Sequence, residues 1–257
     1  MTSGILPAPF SLMRLDSVGS TNDEARRLAL DGAAADLLVV TAKCQTAGRG
    51  RRGRVWQSPP GNLHMSVLIR RSRDLAASAQ IGFVAALALA EALAELLPGA
   101  DFRCKWPNDV LATPGGSAGP AAPYRKVAGM LLETEGNDWL VLGLGVDVVE
   151  APPPGEALFA AVSLADLGWN GDADGVLAAF CERFGPWLSA WRAEGFAAIH
   201  PGWLARARGL GEPAVVRLDK ETLTGLFTGL DEDGALILDQ GNDGTRRIMA
   251  GDVFFPG

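Results

Sequence analysis

Four arginines, Arg49, Arg51, Arg52 and Arg54, fall within six residues and are interleaved with Gly48, Gly50 and Gly53. Glycine lets backbone amides approach a phosphate, and arginine supplies forked donors with a fixed charge, so residues 48–56 read as a site for a small anion. Like charges at close spacing, with no apolar residue before Val55, predict a strip that is disordered until its ligand arrives. Folding over a bound acyl-phosphate would shut water away from a reactive mixed anhydride. Two other readings compete. An Arg-Gly tract for nucleic acid would have interleaved aromatics and a basic chain around it. A dinucleotide fingerprint fits the letters G-x-G-x-x-G, but a helix should begin there and Pro59-Pro60-Gly61 follows instead.

Four further segments carry polar chemistry. Lys105-Trp106-Pro107-Asn108-Asp109-Val110 sets a cation, an amide and a carboxylate on a proline-stiffened turn, and reads either as a held catalytic group or as an ordinary strand bulge. Lys126-Val127-Ala128-Gly129 opens a buried strand with a lysine near a glycine that lets something pack closely; a lysine there is also what a solvent-exposed strand start looks like. Gly143-Leu144-Gly145-Val146-Asp147 is a strand clear of side-chain bulk, with or without a function. Ser20-Thr21-Asn22 precedes a helical run in which Thr21 and Glu24 have capping-box spacing, and a helix N-terminus also presents free amides to a ligand. Gly115-Gly116-Ser117-Ala118-Gly119 matches G-x-S-x-G but sits in a Pro/Gly-rich loop with no helix after it, so it is set aside.

The elements that must position these groups follow from periodicity. Strands are expected at residues 37–42, 62–69, 102–105, 110–112, 126–133 and 140–148, forming a mixed sheet. Helices are expected from residue 23, at 75–97, through Val176, Phe180, Phe184, Trp187 and Trp191, and at 196–208. From Gly209 the pattern turns to short alternating strands at 214–218, 223–230, 235–238 and 245–249, separated by turn residues. The fold class is therefore α+β: a catalytic domain over residues 1–208, with helices flanking its sheet, and a small β-barrel over 209–257. Residues 113–125 form a long surface loop, and Pro152-Pro153-Pro154 marks another connection.

Composition bounds the function. Of 257 residues, 48% are hydrophobic and 21% charged, enough to bury a sizeable core. The longest apolar run, residues 81–90, is too short for a membrane helix and the first ten residues lack a signal-peptide pattern, so a cytoplasmic protein without membrane contact is expected. Cys44, Cys104 and Cys181 are widely spaced and should be reduced thiols, and with only His64 and His200 no structural metal site is expected. The net charge of −7 argues against nucleic acid as a partner and makes the local arginine cluster stand out.

Taken in order, Ser20-Thr21-Asn22, Gln45, residues 48–56, the Lys105 to Val110 turn, Lys126 to Gly129 and Gly143 to Asp147 closely resemble the biotin protein ligase family, over essentially the whole chain from about residue 10. The resemblance implies biotin as substrate, ATP with Mg²⁺, formation of biotinyl-5′-AMP, and transfer of biotin to a lysine of a biotin carboxyl carrier domain. Carried over by motif, Ser20, Thr21 and Gln45 would hydrogen-bond the ureido ring, Arg49, Gly50 and Arg51 would close on carboxylate and phosphate, and Asn22 and Gly48 would belong to the substrate site. Lys126 would offset charge developing at the reacting centre. Trp56 would anchor the loop or pack on the adenylate, Lys105 and Asn108 would belong to the substrate site, and Gly129, Gly143 and Gly145 would give clearance. Asp109 would position Mg²⁺ or deprotonate the incoming lysine. Asp147 stands where the family pattern has asparagine, which places a carboxylate, and a possible Mg²⁺ contact, near the nucleotide. His64 stands where an aromatic is more usual. The resemblance leaves a homodimer open and, with few residues before Leu12, implies no DNA-binding domain. The nearest alternatives are a lipoate or octanoate ligase of the same superfamily and a non-catalytic biotin sensor.

Overall fold

The computed structural model describes residues 6–71, 75–114, 123–153 and 159–255. The Gly115 to Gly119 stretch, most of the 113–125 loop and Pro154 lie outside them. Seven strands form the main sheet: β1 (Ser11–Val18), β2 (Leu38–Gln45), β3 (Leu63–Arg70), β4 (Ala100–Lys105), β5 (Asp109–Pro114), β6 (Arg125–Glu135) and β7 (Trp139–Val146). Their order is β1-β2-β3-β7-β6-β5-β4, with β1 parallel to β2 and every other neighbour antiparallel, so the sheet is mixed as expected. The edge strand β1 had no signal in the sequence, because its exposed positions carry polar residues and it presents little apolar alternation.

The central strands bury both faces, which explains their unbroken apolar runs. Helix α1 (Thr21–Leu30) covers one face, where Ala25 and Leu28 pack on Val40, Leu68 and Val141. Helices α3 (Ile81–Leu96) and α4 (Ala173–Glu194) cover the other, with Val84, Leu87, Phe180 and Phe184 among its buried side chains. The run expected as one helix over 75–97 is divided into α2 (Leu75–Ser78) and α3. The division falls at Gln80, whose buried amide accepts from Trp191 Nε1 at 2.9 Å and donates to the Glu232 carbonyl at 3.3 Å. The helix expected over 196–208 is a 3₁₀ turn, Gly195–Ala198, followed by α5 (His200–Ala205). Among the described residues no helix is long and apolar enough to cross a membrane.

The C-terminal strands are β8 (Pro213–Arg217), β9 (Thr222–Leu230), β10 (Leu236–Asp239), β11 (Thr245–Ile248) and β12 (Asp252–Phe254), in the order β11-β10-β9-β8-β12, all antiparallel. β12 went unread because it is three residues long. Among the described residues β11 and β12 do not pair, so the unit is an open five-stranded sheet where a closed barrel was expected. Its apolar face joins the main core, since Val216, Phe227, Leu236 and Leu238 belong to the same buried cluster as α3 and α4. The Trp106 indole donates to the Gly234 carbonyl at 3.1 Å, tying the β4–β5 turn to this sheet.

Candidate active site

On the face covered by α1, β7 and β6 change from bulky to small residues just beyond the N-terminus of that helix. Val141 gives way to Gly143 and Gly145 along β7, and Gly129 faces them from β6. The gap is filled from neighbouring elements. A Cβ on Gly143 would lie 2.4 Å from Asn22 Oδ1, and one on Gly145 would lie 2.4 Å from the Trp56 ring. The expected clearance therefore first admits two side chains of the chain itself. Around them opens a cavity of about 550 Å³.

The β4–β5 turn supplies the charged wall. The Trp106–Pro107 peptide is cis, and the turn brings Lys105 opposite Asp109 in the ladder. Asp109 is buried, with its carboxylate 2.5 Å from Lys126 Nζ and 3.6 Å from Lys105 Nζ. Burial would raise this carboxyl, but Lys126 and Lys105 outweigh burial and hold it below the ordinary carboxylate range. Burial also pushes the Lys105 ammonium down to about 8 against the pull of Asp109. That ammonium sits 3.7 Å from the centre of the Phe159 ring, a cation–π contact that replaces part of its lost hydration. Lys126 reaches the same face as Gly129, three residues on, because the β5–β6 ladder slips by one residue between Val110 and Leu111, leaving Val127 extra on β6. Asn108 donates to the Met130 carbonyl at 2.7 Å and accepts from Arg51 Nη1 at 2.8 Å, which aims the guanidinium into the cavity.

The polar floor comes from the start of α1. The capping box expected between Thr21 and Glu24 is not formed: Ser20 makes no side-chain cap. Gln45, at the end of β2, does that work from outside, its Oε1 accepting from the Thr21 amide at 2.8 Å and from the Thr21 hydroxyl at 3.1 Å. Asn22 donates to Glu133 Oε2 at 2.7 Å, and its Oδ1 lies 2.5 Å from Ser66 Oγ.

The glycine-arginine strip departs from the expectation of disorder. It forms a hairpin-like arch with Arg49 bridged to Val55, Gly50 N donating to Arg54 O at 2.7 Å and Trp56 N donating to Gly48 O at 3.0 Å. The like charges are compensated by acids from distant elements. Arg49 is forked onto Asp23 at 2.6 and 2.7 Å and also meets Glu133, while Arg52 and Arg54 converge on Asp252 of β12 at 3.3 and 2.5 Å. Arg51 has no carboxylate within ion-pair distance among the described residues, and burial lowers its pKa. Of the arginines that line the cavity, Arg49 and Arg54 are paired with carboxylates and Arg51 is not. Gly48 stands behind the arch, where a Cβ would lie 2.5 Å from the Trp56 carbonyl.

Asp147 closes the far side. It is buried and its side chain meets the Asn62 amide at 3.4 Å, so burial drives its carboxyl up to about 7 against a weaker pull from Lys126. His64 is buried with Nε2 3.1 Å from the Pro59 carbonyl, and burial lowers its pKa. Among the described residues no cluster of three His, Cys, Asp or Glu side chains could hold a metal ion by itself; the carboxylates that could meet an Mg²⁺ brought by ATP are Asp109, already countered by Lys105 and Lys126, and Asp147, whose carboxyl burial pushes up to about 7.

Ser20, Thr21, Asn22, Gln45, Arg49, Gly50, Arg51, Trp56, Lys105, Asn108, Asp109, Lys126, Gly129, Gly143, Gly145 and Asp147 all line this one cavity; Gly48, Arg52 and His64, also singled out in sequence, do not. Sequence reasoning missed Ser66, Glu133, Phe159 and Asp252. The first two stand at alternate positions on apolar strands, a polar residue where the pattern calls for an apolar one, and that was the available signal.

Residues 16–147 match the Biotin/lipoate A/B protein ligase family, and residues 209–255 match the Biotin protein ligase C terminal domain. The chain is 41% identical over 249 residues to a protein of Paracoccus denitrificans named biotin--[acetyl-CoA-carboxylase] ligase, covering 93% of this chain and 98% of the relative. It is 33% identical over 241 residues to the protein of the same name from Mycobacterium tuberculosis, covering 91% of this chain and 85% of the relative. The structure of the biotin protein ligase from Aquifex aeolicus in complex with biotin and ATP superposes with a TM-score of 0.80 at 27% identity, covering 96% of this chain and 99% of that one. With two matched segments spanning more than half of its length, and relatives alike over nearly all of it, the chain belongs to the biotin/lipoate A/B protein ligase family, with the C-terminal domain of the biotin protein ligases.

Proposed function

We propose that this chain is an ATP-dependent biotin protein ligase: it joins biotin to ATP as biotinyl-5′-AMP, releasing pyrophosphate, and passes the biotin to a lysine of a carboxylase's biotin carrier domain. The observation that carries the reading is the placing of Arg51, Lys105 and Lys126 around one buried carboxylate, Asp109, at the wall of a cavity whose floor is the uncharged polar set Thr21, Asn22 and Gln45. A neutral polar head fits the floor and an anionic tail fits the wall. In this reading Thr21, Asn22 and Gln45 bind the ureido ring. Arg51 and Lys126 hold the biotin carboxylate against the α-phosphate and stabilise the charge that develops there. Asp109 is a positioning residue that fixes both lysines, and Trp56, held in the slot over Gly145 and Gly129, sets the height of the arch. Ser20, Gly48, Arg49, Gly50, Asn108, Gly143 and Asp147 complete the binding set, and Mg²⁺ enters with ATP as part of the substrate.

The proposal extends to the domain division at 208/209, supported by the change of strand pattern at Pro213. It extends also to a cytoplasmic location and to the absence of a nucleic-acid partner, which the net charge of −7 supports. A homodimer is compatible with it. The test is a reaction of ATP, Mg²⁺, biotin and a biotin carrier domain, followed by mass spectrometry of the carrier, with lipoate and octanoate as parallel acids. One added biotin is expected. Acylation by lipoate or octanoate alone would replace the reading with that of an acyl ligase, and biotin binding without pyrophosphate release would replace it with that of a sensor.

A further inference from the structure

Glu133 lies outside every motif of the chain, yet it touches both halves of the site. It projects from β6 on the face that carries Gly129 and Leu131 and is about three-quarters buried, its side chain 25% exposed. One oxygen, Oε2, accepts from Asn22 Nδ2 at 2.7 Å and from Arg49 Nη2 at 3.1 Å. Asn22 belongs to the floor and Arg49 to the arch. Asp23, the next residue of α1, grips the same guanidinium at 2.6 and 2.7 Å, so Asn22, Glu133, Arg49 and Asp23 close a ring drawn from α1, β6 and the arch. The other side of the Asn22 amide is fixed by Ser66, whose single hydroxyl proton serves either Asn22 Oδ1 at 2.5 Å or Thr21 Oγ1 at 2.8 Å.

We propose that Glu133 is a positioning residue that couples the two parts of the site, so that a ligand held by Asn22 at the floor tightens the Arg49 side of the arch. The inference rests on the ligase reading above only for the identity of the probe, biotin. The physical argument is that a carboxylate oxygen shared by an amide and a guanidinium cannot favour one donor without altering the other. A ligand that orders the Asn22 amide removes the freedom of Glu133 to swing away from Arg49, and the ordering already done at the floor lowers what remains to be done at the arch. A second link between floor and arch runs through Gln45, whose Nε2 donates to Ser58 Oγ at 2.9 Å, but it reaches the arch at the Trp56 carbonyl and not at Arg49; Asp23 holds Arg49, and Ser66 holds Asn22.

The test is a pair of double-mutant cycles read as biotin dissociation constants by calorimetry, with Asn22→Ala and Arg49→Ala combined in the wild-type and in the Glu133→Gln background. In the wild type the two losses are expected to overlap, the double variant binding about fivefold tighter than independent effects would give. In the Glu133→Gln background the two losses should simply multiply. A second readout uses the arch itself: biotin is expected to slow tryptic cleavage at Arg49 to Arg54 about tenfold in the wild type and less than twofold in Glu133→Gln, because cleavage follows the population of the open arch. A glutamate with a merely structural role would lower the melting temperature and leave both the overlap and the protection intact. The proposal is overturned if the overlap persists in the Glu133→Gln background, or if biotin protects that variant as well as the wild type. Should Glu133→Gln not fold, Glu133→Asp, which keeps the charge and withdraws it by one methylene, carries the same test. A wild-type protein that binds no biotin overturns the ligase reading itself, an outcome distinct from binding with an unchanged cycle.

Discussion

Replacing Asp147 by asparagine should stabilise the protein, and the gain should depend on pH in a way set by burial. The Asp147 carboxyl is 3% exposed and meets one long contact from Asn62, so its ionised form is disfavoured and its pKa stands at about 7 against an ordinary 3.8. That difference corresponds to about 4 kcal/mol of native-state preference for the protonated acid. Its direction follows from proton uptake: between 3.8 and about 7 the unfolded chain has lost this proton and the native protein has not, so stability is fully present below 3.8 and is lost as pH rises through that window. Asparagine has the shape of the neutral acid and does not titrate. Raising the pH from 5 to 8.5 should therefore increase the advantage of Asp147→Asn by about 3 kcal/mol, the rest having been lost already at pH 5. For a chain of this size that is a relative rise in melting temperature of roughly 6–12 °C. Urea titrations of both proteins across the pH range measure it directly. An advantage that is flat in pH, or that grows toward acid, would refute the account of Asp147 as a buried acid without a cation of its own.

Three further outcomes follow from the same geometry. Lys126→Ala and Arg51→Ala should each slow pyrophosphate release by about a hundredfold or more with circular dichroism unchanged, since in the proposed reaction each supplies a donor to the α-phosphate. Wild-type rates in both would remove the site assignment. Asp109→Asn should destabilise the fold by about 3–5 kcal/mol in urea, because it leaves the buried Lys105 and the adjacent Lys126 facing each other without a carboxylate; a change under about 1 kcal/mol would mean that the cluster relaxes freely. Gly143→Ala should weaken biotin binding about tenfold by driving the new methyl into Asn22, with a stability cost of about 1–3 kcal/mol, and calorimetry with biotin checks it.

What the sequence made legible was local. Lys105 to Asp109 is a turn whose residues face each other once Pro107 is in place, and Gly143 with Gly145 signals clearance wherever the strand lies. Groups whose roles depend on distant partners were not legible. Glu133 is an ordinary strand glutamate until Asn22, 111 residues earlier, meets it. The capping box failed for the same reason: Gln45, 24 residues on, satisfies the Thr21 amide that the local rule assigns to a neighbouring side chain. The expected disorder of residues 48–56 failed because Asp23, Glu133 and Asp252 bring counter-charge from α1, β6 and β12, and no window of the sequence places those three beside the arginines.

The two kinds of carboxylate in the site divide the work of setting its charge. Asp109 lies between Lys105 and Lys126 and stays ionised, so its effect is to make two ammonium groups tolerable in a buried place. With Arg51 beside them, three cations stand against one anion, and the wall is positive enough to attract a phosphate chain while the chain as a whole carries −7. Asp147 has no such partner and avoids its charge by keeping its proton near neutrality. As pH rises through about 7 it adds a further anion to the cavity, and near 8 Lys105 loses its proton, so both changes lower the positive charge of the wall in the same direction. The affinity for a polyanion should therefore fall between pH 7 and 9 more steeply than ionisation of the ligand alone accounts for. The Asp147→Asn variant should lose only the lower part of that fall, which separates the contribution of the acid from that of the lysine.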